Sequence, residues 1–514
     1  MGVHVEKGDQ TDVIAFLANP ASYGLDEPVE VLQTHGSMVF LAGERAYKLK
    51  RAVKYPYMDY STPQLRKVMC GRELTVNRTI APEIYESVQA VVREGNSIRF
   101  GDADDRNALD WVVVMRRFDQ QALMEARRLN GKLSRDDMVA LADAIATFHR
   151  NAPATPTFGG ASGLRAVVDE NAAILRQASA GAAFTAHVEN YVELSDKLLR
   201  EVRGTLGWRR QAGFVRRCHG DLHLNNICMM NGKPVLFDAI EFNDAFSNID
   251  VFYDLAFALM DLDSHGLHDY ANALLNRYLE QTGDFGGLAV LPLFLSCRAA
   301  IRAHVAIAAG RETAPALLQA AVTYLRPRGP ELIAVGGFSG TGKTTLARLL
   351  APGFGAAPSA VVLRSDVIRK ALIGVPQEAR LDEQHYDQRT NIAVYERLCE
   401  IAAKVLAAGH AVIADAVFGQ AWERESIEAV GRRAGVSFHG LWLDAPRALL
   451  SSRISQRAKD ASDATVAVLD NQIAHLAAPE NWLKVSAEGS CREVFDRAVG
   501  ALGHGGQPAM LQAF

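Results

Sequence analysis

Cysteine is scarce and scattered: six residues in 514, with no Cys-x-x-Cys pair. That spacing excludes a disulfide-stapled scaffold and a cysteine zinc cluster. No charge sign dominates, since 55 Lys and Arg stand against 59 Asp and Glu for a formal net charge of −4. A bulk electrostatic grip on nucleic acid or on an acidic membrane surface is therefore not expected. Long apolar runs are missing as well. Ala289–Cys297 is the nearest to one, and it stops at Arg298, short of the roughly 20 residues a membrane span needs. The N-terminal stretch is acidic in part and has no apolar core, so no secretory leader is expected and the cytoplasm is the default compartment. Internal repeats and low-complexity tracts are absent. What is present, 49% hydrophobic and 22% charged residues, is the profile of an ordinary globular chain.

Length predicts two large domains or three smaller ones. After a helix near Asp12–Ala18, the runs VEVLQT, MVFLA and AYKLK are separated by turn signals at His35-Gly36 and Gly43-Glu44, which predicts an antiparallel meander. Ser61-Thr62-Pro63 opens a helix to about Thr79, because a hydroxyl residue before a first-turn proline is a start signal. Strands follow at Glu86–Val92 and Trp111–Met115, and Arg135 to about Tyr324 reads as helical apart from Phe214–Phe242. Arg326–Pro330 breaks the pattern. Beyond it, apolar runs alternate with helical stretches, as in a parallel α/β sheet. The expected domains are therefore 1–328, with a small lobe to about 117 and a large helical lobe over 118–328, and 329–514.

Gly337-Phe-Ser-Gly-Thr-Gly-Lys-Thr344 fits GxxxxGK[ST] between an apolar strand and a helix. Its glycines let backbone N–H groups of Ser339, Gly340, Thr341, Gly342 and the residues through Thr345 turn toward a polyphosphate at a helix N-terminus. Lys343 is expected on the outer phosphates and Thr344 on Mg²⁺. Asp366 ends a second apolar strand, where it can take the proton of an incoming hydroxyl, with Arg369 one helical turn on gripping substrate or phosphate. Asp415 ends a third strand and can order Mg²⁺ through water. Arg453 and Arg457 lie four apart on one helix face and suit a lid over the phosphates. This half, over Glu331–Gln472, resembles the P-loop kinases of the zeta-toxin, chloramphenicol phosphotransferase and polynucleotide 5′-kinase group, an AAA-type family. The resemblance implies a phosphate loop paired with Asp-x-x-Arg and an arginine-bearing lid.

The second constellation is His219-Gly-Asp221-Leu-His-Leu-Asn-Asn226, followed by the apolar strand ending at Asp238. An Asp, an Asn five residues on, and an Asp closing a short strand reproduce the spacing of a phosphoryl-transfer loop. Asp221 is expected to orient or deprotonate an acceptor hydroxyl, Asn226 and Asp238 to bind Mg²⁺, and His219 to brace the loop. Lys48 is the candidate strand lysine for the nucleotide phosphates. Lys50 has the same parity and is its rival, and Glu73 can pair with the lysine. His35-Gly36-Ser37 is a reduced phosphate-covering loop and Met115–Phe118 the interlobe hinge. Asp261 and Asp263 can attract a cationic acceptor and Arg298 and Arg302 an anionic one, although both pairs fit interhelical ion pairs or solvated faces better.

Residues 30–325 resemble the aminoglycoside phosphotransferase family, which includes choline and homoserine kinases. The resemblance rests on HGDLHxxN and on Asp254-Leu255-Ala256, whose Asp supports the loop in that family. In place of the family's Asp-Trp-Glu, Asp238 is followed by Ala-Ile-Glu241. The implied fold is an α+β bilobal kinase-like domain followed by an α/β P-loop NTPase domain with a parallel sheet. The implied activity is an ATP- or GTP-dependent, Mg²⁺-requiring phosphotransferase, bifunctional, acting on hydroxyls of small molecules, with no nucleic acid or membrane partner. Two other readings remain: one active kinase regulated by a nucleotide-sensing P-loop domain, and a toxin-like kinase acting on a macromolecule.

Overall fold

The computed structural model describes residues 9–55, 57–178, 182–456 and 463–503. By packing, the chain divides into two compact units. One gathers the residues up to Ala166 with Leu206–Asp261, and the other gathers Val167–Thr205 with the residues from Leu262 on. This is a different division from the one by motif near 328.

The first unit is built on a six-stranded antiparallel sheet in the order Glu30–Gln33, Ser37–Ala42, Arg45–Lys50, Ala108–Arg116, Tyr85–Glu94, Ser97–Gly101. The expected meander is there, and Ser97–Gly101 is a strand the sequence reading missed. In Arg45–Lys50 the side chains alternate, as strand geometry requires. Tyr47 and Leu49 pack with Val13 and Leu17 of the Thr11–Ala18 helix, while Ala46 joins the opposite core with Cys70. Parity therefore sends Lys48 and Lys50 toward the Pro63–Ile80 helix. That helix starts as expected, with the Thr62 hydroxyl accepting the Leu65 N–H and Pro63 in the first turn. Its buried residues Arg66, Cys70, Glu73 and Asn77 form one stripe. Helices dominate after the Arg135–Asn151 helix, whose N-terminus carries a capping box between Ser134 and Asp137. The expected interruption holds the Ile227–Met230/Lys233–Leu236 hairpin and the strand Val215–Arg217, whose partner Asn248–Asp250 lies beyond it in a stretch read as helical.

The second unit holds a wholly parallel five-stranded sheet, ordered Val361–Arg364, Val412–Asp415, Glu331–Gly337, Ser437–Asp444, Leu483–Ser486. The last strand escaped the sequence reading because only Val485 of its four residues is buried. Phe285–Ala308 corrects the expectation from apolar runs. By length and composition it is one helix able to cross a membrane, yet 72% of its most apolar stretch is buried inside the protein, as for a core helix. The His268–Thr282 helix also ties into the sheet. Asn276 accepts the Val362 N–H at 2.7 Å and donates to the Ala360 carbonyl at 3.2 Å, while Asn272 donates to the carbonyls of Pro358 and Ala360. Two amide side chains thus do at this edge strand what a neighbouring strand's peptides do. Buried His410 meets the Leu288 carbonyl at 3.1 Å.

Asn276→Ala leaves the Val362 N–H without its acceptor and is expected to cost about 1–3 kcal/mol, read by urea denaturation. Acid sensitivity should follow from His304 and His410, both pushed down to about 4 by burial. Their folded pKa lies below the unfolded value of about 6.5, so the unfolded chain binds protons that the folded chain refuses. Stability should be full above about pH 6.5 and fall as pH drops toward 4, with His410→Gln removing part of that slope in melting curves.

Candidate active sites

In the first unit, Glu73 is fully buried and holds two lysines at once. Its Oε1 lies 2.8 Å from Lys48 Nζ, and its Oε2 accepts from Lys50 Nζ at 2.6 Å. Lys48 also reaches Asp238 at 2.5 Å, whereas Lys50 reaches Glu241 at 2.5 Å. Burial alone would push both lysines down. Asp238 and Glu73 beside Lys48, and Glu241 and Glu73 beside Lys50, together hold each well above the usual lysine value. Burial likewise opposes ionisation of Glu73, yet the two lysines keep it below the usual carboxylate range.

Asp238 has a positive φ of 63°, a conformation that costs a non-glycine residue energy and recurs at functional sites. The surrounding structure imposes it. The Asp238 N–H donates to the Tyr85 hydroxyl at 3.2 Å, and the Ala239 N–H donates to Asn77 Oδ1 at 2.7 Å.

The 219–226 loop is braced from several sides. Asp254 accepts the His219 N–H at 3.1 Å and the Gly220 N–H at 2.8 Å, and meets His149 Nε2 at 3.1 Å. Gly220 sits at φ 85°, where a Cβ would fall 2.7 Å from the Phe246 carbonyl oxygen, so glycine is required. His219 Nε2 meets the Phe237 carbonyl at 2.8 Å, and burial holds its pKa below the ordinary value. Asn226 donates to Asp221 Oδ2 at 3.0 Å, and His223 Nε2 lies 3.3 Å from the same carboxylate. Buried Cys218 completes a His149–Cys218–Asp254 cluster, but Asp254 spends its oxygens on the loop.

At the second unit's phosphate loop, the register aligns three strand ends. Val335 and Arg364 both pair with Asp415, which sets Gly337, Asp415 and Asp366 at the carboxyl edge, where open α/β sheets bind ligands. Thr344 donates to Asp415 Oδ2 at 2.6 Å, and Arg364 Nε lies 3.8 Å from the same oxygen. Gly340 has φ 86°, and a Cβ there would meet the Leu450 carbonyl oxygen at 2.8 Å. Lys343 donates to the Phe338 carbonyl at 3.0 Å and Thr341 to the same oxygen at 2.8 Å, while Thr345 is exposed. Asp366 lies half-buried in the first turn of the Ser365–Ile373 helix.

Lys48, Glu73 and Asp238 are thus brought together, as are Asp221 with Asn226 and Thr344 with Asp415. Arg369 is buried and turns inward: it donates to the His385 carbonyl at 3.0 Å and Asn391 Oδ1 at 2.8 Å, and lies over the Tyr386 ring. Arg453 is half-buried on the Arg447–Ser455 helix, 3.4 Å from the Gly489 carbonyl. Arg457 lies outside the described residues. The His35-Gly36-Ser37 turn is held by Arg51, which donates to the carbonyls of Thr34 and His35, and Phe118 packs edge-on against Phe237.

Asp261 turns to the backbone of the 219–226 loop. It is buried and accepts the Leu224 N–H at 3.0 Å. Asp263 bonds His268 and Tyr324 within the second unit, and Arg298 is buried there. Sequence reasoning named Glu241 without giving it a role and missed Tyr60, Asn77 and Gln472. Gln472 accepts the Ser339 N–H at 2.8 Å, and no motif spacing announces it. Glu241 did carry a signal, as the one acidic residue just after Asp238.

The phosphotransferase enzyme family model matches residues 94–291, and an AAA domain model matches residues 332–479. The chain is therefore similar to an aminoglycoside phosphotransferase-type kinase domain followed by a P-loop kinase-like domain. An uncharacterised protein of Mycobacterium tuberculosis is 28% identical over 462 residues, covering 86% of this chain and 89% of its own. Among solved structures, a choline kinase from Cryptosporidium parvum is 12% identical, covering 62% of this chain and 95% of its own, with a TM-score of 0.38. A gluconokinase from Sinorhizobium meliloti is 19% identical, covering 36% of this chain and 99% of its own, with a TM-score of 0.25.

Asp254→Asn keeps the side-chain shape but removes the charge that two buried amides share. It is expected to cost about 2–3 kcal/mol in denaturant melts and to speed hydrogen exchange at Gly220.

Proposed function

We propose that the protein is an ATP-dependent phosphotransferase with two separate sites, each moving the γ-phosphoryl group to a hydroxyl of a small molecule. The kinase-type family matches and the folds support the coarser activity. The observation that carries the finer reading is the assembly of the first site. Asp221 is hydrogen-bonded to Asn226 on a loop pinned by Asp254, and the same unit supplies the Lys48–Glu73 pair and Asp238.

In that site Asp221 accepts the acceptor hydroxyl's proton as the oxygen attacks the γ-phosphorus, and ADP leaves with its phosphates on Lys48. The donors of Asn226 and Asp238, like those of Thr344 and Asp415, are all hard oxygens and fit Mg²⁺. When bound, Mg²⁺ neutralises charge on the phosphates. In the second site Lys343 takes the outer phosphates and Asp366 is the base.

Arg369 favours a second reading for that half. Its guanidinium holds its own 385–391 segment, which suits a domain that binds nucleotide and signals rather than one that transfers.

One experiment separates these. Phosphate transfer from labelled ATP is followed across a metabolite panel for wild type, Asp221→Asn, Asp366→Asn and Lys343→Ala. Two active sites predict that Asp221→Asn and Asp366→Asn each delete a different product, with rates down at least about 100-fold and ATP affinity kept. If Lys343→Ala leaves every product intact, the second half regulates.

A further inference from the structure

Two lysines share Glu73, but they are not equally placed to meet a ligand. The Lys48–Asp238 pair is open on one side, with side-chain exposures of 11% and 38%. The Lys50–Glu241 pair is sealed, at 1% and 5%. For Lys48 to take nucleotide phosphates, its 2.5 Å bond to Asp238 must open, and solvent already reaches Asp238. Nothing comparable can happen at Lys50. Glu241 Oε1 also accepts the Tyr60 hydroxyl at 2.8 Å, and Lys50 Nζ lies 4.8 Å above the Tyr60 ring.

Tyr60 in turn is tied to the Pro63–Ile80 helix, since its carbonyl accepts from Arg66 at 2.9 Å. Arg66 is itself buried against Asp110 of the sheet at 2.8 Å. Glu241 is therefore bolted to the sheet and helix of the small lobe three residues after Asp238.

We propose that Lys50 and Glu241 are positioning residues of the phosphoryl-transfer site. They form a permanent clamp that fixes Glu73 and the 238–241 segment while Lys48 exchanges Asp238 for the nucleotide phosphates. The proposal rests on the phosphotransferase reading of this site. It also decides between the two lysines: Lys48 is the ligand-facing one, and Lys50 acts through Glu73.

The test uses the full chain carrying Lys343→Ala as parent, so that the phosphate loop is silent and slow ATP hydrolysis, with water as acceptor, reports the first site. Lys50→Met with Glu241→Gln removes one positive and one negative charge together, which leaves the net charge of the buried cluster unchanged. Binding of a fluorescent ATP analogue should stay within about threefold of the parent while hydrolysis falls at least about tenfold, the split expected when geometry rather than binding is lost. Glu241→Gln alone keeps the shape and an acceptor for Lys50. This milder variant should show about a threefold loss of rate at unchanged affinity. Lys48→Met should instead lose nucleotide affinity. An unchanged hydrolysis rate in either variant overturns the proposal. So does a fall in affinity that matches the fall in rate, because Lys50 would then be a phosphate ligand itself. If the parent neither binds nor hydrolyses ATP, it is the phosphotransferase reading that fails.

Discussion

A carboxylate without water, Glu73, gathers two ammonium groups within 2.8 Å and through them two further carboxylates, Asp238 and Glu241. Burying an unpaired charge costs several kcal/mol, so buried Glu73, Lys50 and Glu241 are not stable in place without their partners. The small lobe's sheet, its long helix and the 238–241 segment must therefore arrive together. The strained backbone of Asp238 follows from the same constraint, since it is the conformation that turns one carboxylate to Lys48 and leaves the next three residues to carry another to Lys50. The floor of the site is set separately. Asp254 and Asp261 spend their carboxylates on backbone amides of the 219–226 loop, so that Asp221 stands on a fixed frame.

The second unit shows a different economy. Its parallel sheet brings Gly337, Asp415 and Asp366 to one edge, and Thr344 is already paired with Asp415. Its edge strand does not end in solvent, because Asn272 and Asn276 of the His268–Thr282 helix satisfy its first peptides. That helix lies before the 326–330 break and packs with what lies after it. A division by motif and a division by packing thus answer different questions, and a chain cut at the motif boundary would strip the sheet of these partners.

How much was legible depended on whether the signal was local. The strand lysines, the helix start at Thr62-Pro63, the Asp221/Asn226 spacing and the phosphate loop are all set within a few residues. They stand where backbone periodicity and turn chemistry put them. Strands with little to bury, Ser97–Gly101 and Leu483–Ser486, were missed because alternation is invisible when only one face holds one or two apolar residues. The Phe285–Ala308 helix was underrated because Pro292 and the short run around it hide an apolar helix in the fold's interior. The bond Asp261 makes was not foreseen, because a carboxylate's partner cannot be seen when it is a backbone amide 37 residues away in the chain.

By itself, then, the sequence determined which chemical groups exist and which share a strand face or a turn. Lys48 and Lys50 could be named together because strand parity is a period of two, and for the same reason they could not be told apart. Only the tertiary structure distinguishes their surroundings, setting one lysine beside a carboxylate that solvent reaches and the other beside one almost sealed from it. Partners such as Glu241, Tyr60 and Gln472 were likewise chosen by packing. Long-range electrostatics and burial depend on which segments meet across the fold, and no local spacing encodes that.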